Sequence, residues 1–260
     1  MSKSDKILYT VFFSITLVVL TFILLPLIRL VFFLNPNTVS VIKDKSVLIS
    51  LWNSISLSFI TATIAFFLGI PIAFLMANDF FGKFERLVET LVDLPLAIPH
   101  TVVGISLLFV IGRRGIVGSI FYDSFGFKIT GTRLAIVLAM LFVSLPYTVS
   151  SAREGFKKVD ATLVKSAMIL GAPMHSIFKD LYLPLSKSSI FSGFMLTWAR
   201  AISEFGAVVI LAYYPMTAPV KIYDAFTQYS LNTSGAIAAY LLLVCLAIFL
   251  TFRFAVGGKR

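Results

Sequence analysis

The chain has 260 residues, 58% of them apolar and only 13% charged, with a net charge of +10. Soluble globular proteins carry about 25% charged residues, so this composition, with a mean hydropathy of +0.97, excludes an ordinary water-soluble fold. The basic excess reads as loops that hold a membrane orientation, not as a nucleic-acid surface, and the single cysteine, Cys245, excludes an intramolecular disulfide.

Six apolar runs approach or exceed the ~20 residues that cross a bilayer as a helix. They lie at about 7–28, 51–77, 91–111, 134–151, 189–212 and 236–256. The expected fold is all-α: one polytopic membrane helix bundle of six transmembrane helices, a single domain over residues 1–260. The first run follows Lys3 and Lys6 as a signal peptide would. Its core is long for a signal and no A-x-A-like site ends it, so it reads as an uncleaved span.

The second run carries Thr61, Ala65, Gly69, Ala73 and Ala77 at four-residue steps, a stripe that lets helices approach closely in lipid. Pro71 in the same run predicts a kink. The third run is interrupted by Pro95 and Pro99 within Asp93–Thr101. Two prolines four apart leave carbonyls without donors, which is tolerated only where the segment is buried or lines a cavity. A helix restarting near Pro99 presents the amides of His100, Thr101 and Val102, an end that favours an anion. His100 reads either as an interhelical hydrogen-bond partner or as a ligand.

With both termini cytoplasmic, thirteen Lys and Arg residues fall inside and eight outside, with Arg200 within a span. This bias favours that orientation, although the outer loop 112–133 is more basic than the rule prefers. The inner loop 152–188 predicts a helical hairpin. Asp160 can cap a helix from Ala161 to Leu170, Gly171 fits the left-handed stop, and Pro173 fits the start of a second helix that Pro184 closes. Ser166, Ala167, Leu170 and Gly171 share one side of the turn. Either the hairpin packs under its own bundle, or its small residues admit the surface of a partner.

The fifth run holds Arg200 and Glu204 at membrane depth, where a charge costs about 2.5–3.5 kcal/mol on insertion scales. Four residues apart, the two can pair on one helical face. The pair reads as a lock between spans, as an aid to anion passage, or as a gate. Asp93, His100, Thr101, Arg200, Ser203 and Glu204 are therefore the pore or gate candidates. The loop from Tyr213 to Gly235 reads as an aromatic interface belt or as a landing surface. No His/Cys cluster suggests a metal and no nucleophile–base or paired-carboxylate set suggests catalysis. Gly82-Lys83-Phe84 and Gly258-Lys259-Arg260 lack the spacing and hydroxyl of a phosphate loop, so this chain is expected not to be an enzyme. An ion-coupled transporter predicts inverted repeats and more midplane carboxylates than the chain shows.

The inner hairpin reads Lys165-Ser166-Ala167, three residues, Gly171, nine residues, Leu181-x-Leu183-Pro184. It resembles the cytoplasmic loop of ABC-importer permeases, E-A-A, three residues, G, nine residues, I-x-L-P, with Lys for Glu, Ser for the first Ala and Leu for Ile. Segments 93–104, 141–156 and 198–219 resemble permeases of the molybdate/tungstate/sulfate importer group. The runs Ala199–Ala207 and Tyr213–Pro219 are similar to the archaeal-type tungstate/molybdate members. The resemblance implies a type I ABC importer permease in the cell membrane that carries molybdate or tungstate, with sulfate or another oxyanion as the alternative. It further implies a homodimer, two ATP-binding subunits that hold the ATP and magnesium, and an extracytoplasmic oxyanion-binding protein. Under it, Lys165, Ser166, Ala167, Leu170, Gly171, Ala172 and Pro184 dock the ATPase, while Tyr213, Tyr214, Pro215, Pro219 and Tyr223 receive the binding protein.

Overall fold

A computed structural model of the chain describes residues 3–32, 34, 40–228 and 230–257, with side chains placed between residues 5 and 251. Part of the first predicted loop, at 33 and 35–39, lies outside the described residues, as do Lys259 and Arg260 of the basic set. Among the described residues the elements are helical: α1 Lys3–Val31, α2 Lys45–Ala77, α3 Glu85–Ala97, α4 His100–Ile111, α5 Ile116–Phe125 and α6 Arg133–Lys157. Then follow α7 Ala161–Ile169, α8 Met174–Ile177, α9 Leu183–Ile202, α10 Gly206–Leu211, α11 Ala218–Gln228 and α12 Leu231–Gly257.

Helices α2, α6 and α9 form the centre of the bundle. They approach closely because the sequence places small residues at the crossings. Thr61, Ala65, Gly69 and Ala73 are all buried on one face of α2, and a Cβ on Gly69 would sit 2.9 Å from Thr148 Cγ2 of α6. Between α6 and α9, Cβ atoms at Gly155 and Gly193 would lie 2.6 Å from Ser189 Cβ and 2.8 Å from Ser151 Cβ. Hydroxyls reinforce the contact: Thr148 and Thr197 share a bond of 2.6 Å, and Trp198 Nε1 donates to Ser58 Oγ at 2.8 Å. In lipid such packing replaces the hydrophobic effect as the source of cohesion. Gly155→Val is expected to destabilise the bundle by about 1–3 kcal/mol, the usual cost of overpacking, read as a lower Tm of the detergent-purified protein.

The spans differ from the sequence expectation in two places, and the count among the described residues falls short of six. Helices α1, α2, α6 and α12 are long and apolar enough to cross a membrane, and the count reaches five with the bent pair α3 and α4. The predicted third span, 91–111, is not one helix. It starts earlier, at Glu85, continues through Pro95, and turns by 111° at Ile98–Pro99, where Ile98 takes the extended conformation that a following proline favours. The predicted fifth span, 189–212, begins at Leu183, ends at Ile202, and resumes as α10 from Gly206. Ser189, Ser192, Thr197, Arg200, Ser203 and Glu204 make 189–212 the most polar of the six runs.

Pro184 does not close the second hairpin helix. The chain runs from α8 through a π-turn at Phe178–Tyr182 directly into α9. A proline ring clashes with the carbonyl four residues earlier, here that of Asp180, and the wider turn makes room for it. Helix α2, by contrast, continues through Pro71 as one element.

Candidate functional site

The hairpin after α6 is built by local signals. Asp160 Oδ1 accepts the Thr162 amide at 2.7 Å and so starts α7. Gly171 takes φ +82°, its amide donates to Met168 O, and the Ala172 amide donates to Ala167 O, both at 3.0 Å. This paired closure is the Schellman stop, which needs a residue free of Cβ strain at the left-handed position. Pro173 then caps α8.

The two faces of this elbow do different things. Val164, Ile177 and Tyr182 are buried with Ile70, Ala73, Met76 and Phe156, and Ala167 and Ala172 pack against them. Phe74 is the keystone, its ring 4.8 Å from Phe178 and 5.1 Å from Tyr182. Tyr182 also donates to Asn78 Oδ1 at 2.8 Å, and burial pushes its phenol above the ordinary range. The outward tip is bare: Ile169 and Leu170 are 85% and 86% exposed, beside exposed Lys165, Ser166 and Gly171. Covering a large apolar side chain is worth about 1.5–3 kcal/mol, so this tip is a surface that gains by being occupied. Pro184 lies apart from it, exposed in the first turn of α9.

At the other breaks two helix restarts meet. A Cβ on Gly206 would be 2.8 Å from His100 Cβ and 3.3 Å from the Thr101 amide nitrogen, and one on Gly104 would be 3.0 Å from Ala207 Cα. Only glycine permits this approach of α4 and α10. Between the restarts lies Glu204, 1% exposed. Its Oε2 receives His100 Nδ1 at 2.7 Å and Arg200 Nη2 at 2.9 Å, while its Oε1 accepts the Ala207 amide at 2.9 Å. Arg200 also donates from Nη1 to Ser203 Oγ at 3.3 Å. A buried carboxylate is tolerable when donors surround it, and here three do. The side chains of Arg200 and His100 remain 20% and 35% exposed. The open edge of the cluster therefore carries a guanidinium, a group that donates to an anion, with the His100 ring against it at 2.8 Å from Nε2 to Arg200 Nη2, and the carboxylate is behind them.

Of the other gate candidates, Thr101 is exposed in the first turn of α4. Asp93 does not join the cluster; its Oδ1 accepts from Ser150 Oγ of α6 at 3.4 Å. The structure adds residues that the sequence reading passed over. Glu85 and Glu89 lie two turns and one turn before Asp93, and Arg153 of α6 reaches both, at 3.2 and 2.6 Å. The i, i+4, i+8 acidic spacing was the available signal.

At the opposite end of α6 from the elbow, the segment after α10 is held rigidly. Asn53 Nδ2 donates to Met216 O at 3.0 Å, and the Ala218 amide donates to Ser54 Oγ at 2.7 Å. Tyr213 and Gln228 both donate to Asp224 Oδ1 at 2.7 Å, and the Asp224 bond pushes the Tyr213 phenol up to about 12. Of the five landing candidates, Tyr214 and Tyr223 are 65% and 46% exposed. Tyr213, Pro215 and Pro219 are half-buried.

Residues 69–256 match the family described as the inner membrane component of binding-protein-dependent transport systems. The chain is 41% identical over 223 residues to the molybdate/tungstate transport system permease protein WtpB of Thermococcus kodakarensis, covering 85% of this chain and 84% of that one. It is 36% identical over 253 residues to the protein of the same name from Methanocaldococcus jannaschii, covering 97% of each. It also shares the fold of a chain in the crystal structure of a bacterial alginate ABC transporter in complex with an alginate pentasaccharide-bound periplasmic protein. That match has a TM-score of 0.75 at 17% identity, over 96% of this chain and 93% of the other.

Proposed function

The chain belongs to the family of inner membrane components of binding-protein-dependent transport systems, and from that premise we propose that it forms the membrane pathway for molybdate and tungstate in an ATP-driven importer. The likeness to the two WtpB proteins over most of the chain carries this reading. The chain is a multi-pass membrane protein and a permease subunit, so ATP hydrolysis falls to a separate subunit. In this reading two copies surround the pathway, both termini face the cytoplasm, and two ATP-binding subunits lie below. ATP and magnesium belong to those subunits.

The elbow suits the task of receiving them. Its exposed apolar tip at Ile169 and Leu170 offers a knob for a cleft in the ATPase, and its inner face is bonded into the bundle through Phe74, Phe156 and Tyr182. Force applied to the tip thus reaches α2 and α6 instead of bending a loose loop. At the far end, Tyr214 and Tyr223 provide the landing surface for an oxyanion-loaded binding protein. Between the two ends, the guanidinium of Arg200 borders the route of a doubly charged anion.

The test is uptake into proteoliposomes holding this chain, its ATPase partner and its binding protein. ATP-dependent entry of molybdate and tungstate is expected, with an equal concentration of sulfate leaving the rate unchanged. Sulfate carried equally well would move the assignment to another oxyanion. Transport by the chain alone, driven by an ion gradient, would overturn it.

A further inference from the structure

The lower half of the bent pair, α3, is bound to α6 along its acidic stripe. Glu85, Glu89 and Asp93 fall one turn apart and so share a stripe. Glu89 takes Arg153 Nη1 at 2.6 Å and Nη2 at 3.3 Å, Glu85 takes Nη2 at 3.2 Å, and Asp93 takes Ser150 at 3.4 Å. The adjoining side chains Val88 and Val92 pack against the cluster that also holds Val164 and Ile177 of the elbow. The side chain of Arg153 is only 11% exposed, and its Nε and Glu85 Oε2 are buried without partners. Arg153 and Glu85 are held largely out of water with hydrogen bonds incompletely met, while the Glu89 side chain stays 44% exposed at the rim, so the grip contributes little to cohesion.

Position gives it another purpose. Arg153 stands one turn before the end of α6 at Lys157, immediately ahead of the elbow. Helix α3 ends at Ala97, and three residues later His100 bonds the buried Glu204. We infer that Arg153 is a positioning residue for transport: through Glu85 and Glu89 it makes α3 follow the elbow, and α3 swings about Ile98–Pro99 to move His100 against Glu204. The inference rests on the transport reading above. Its two-state element is the bent pair itself, whose 111° turn is set by a two-residue joint between rigid helices, the usual construction of a hinge.

The experiment uses the assembled transporter, with Cys245→Ser and Thr101→Cys as background, and follows labelling of Cys at position 101 by a membrane-impermeant maleimide with and without a non-hydrolysable ATP analogue. The analogue is expected to change the labelling rate in the Arg153-containing protein. Arg153→Ala should reduce that response, between about 2-fold and about 30-fold, with co-purification of the ATPase subunit unchanged. Arg153→Lys keeps the charge but lacks the two-pronged fork and should fall between. The charge exchange Arg153→Glu with Glu89→Arg should restore part of the response, which a purely structural loss would not. An undiminished response in Arg153→Ala overturns the inference and leaves the transport reading standing. Where Arg153→Ala does not assemble, Glu89→Gln is read in its place, and an undiminished response there has the same meaning. A chain that binds no ATPase subunit in any form defeats the transport reading itself.

Discussion

Glu204→Ala is expected to be the most damaging single change in the membrane interior. The substitution leaves Arg200 and His100 facing an apolar void and strips the Ala207 amide of its acceptor, because all three converge on this carboxylate. Breaking a buried pair by removing one partner costs about 3–5 kcal/mol. The lower part of that range applies, since the Arg200 side chain is 20% exposed and can reach water. Glu204→Gln retains an acceptor for Ala207 and should lose less. Arg200→Ala leaves Glu204 with two donors and should reduce assembly more than it alters the choice of oxyanion. Yield and Tm of the purified complex measure the first effect, and competition uptake measures the second. If Glu204→Ala melts where the parent does but passes a different set of anions, the carboxylate selects and does not brace.

Gly171→Val is expected to separate hydrolysis from uptake. No atom lies within 4 Å of a Cβ built at Gly171, so the side chain itself meets no obstacle inside the chain. The penalty comes from the backbone: at φ +82° a Cβ crowds the following carbonyl, costing roughly 1–2 kcal/mol. That strain turns the tip formed by Ile169 and Leu170, and 1–2 kcal/mol is a factor of roughly 5–30 in an equilibrium. Uptake should fall by about that factor while the protein inserts and the ATPase subunits continue to turn over. Gly171→Asn is the informative companion, because asparagine tolerates the left-handed position and should retain most of the coupling. Parental uptake per ATP in the valine variant would remove the elbow from the energy path.

Much of this was readable beforehand where one residue dictates one local geometry. Asp160, Gly171 and Pro173 each act within a few residues, so the elbow's capping and stop were legible, and the small-residue stripe on α2 announced a close crossing. The broken spans were legible only as discontinuities. Pro95 and Pro99 signal an interruption, but the angle of 111° depends on what α3 packs against. Ser203–Phe205 carries no proline or glycine at all, so the break after α9 was invisible. It is held by Glu204, whose bond to Ala207 starts the next helix. The Arg153 grip was missed because its partners are more than sixty residues away, and hydropathy treats Glu85 and Glu89 as loop.

The π-turn at Phe178–Tyr182 has a mechanical corollary. Because the chain does not stop at Pro184, Met174 at the rear of the elbow and Arg200 beside Glu204 lie on one uninterrupted shaft, roughly 40 Å long at 1.5 Å per residue. If the elbow is driven as proposed, a twist of its lower end would reach the guanidinium as rotation while α3 carried its motion to the imidazole across from it. The buried carboxylate would then be the bearing on which two cranks turn against each other.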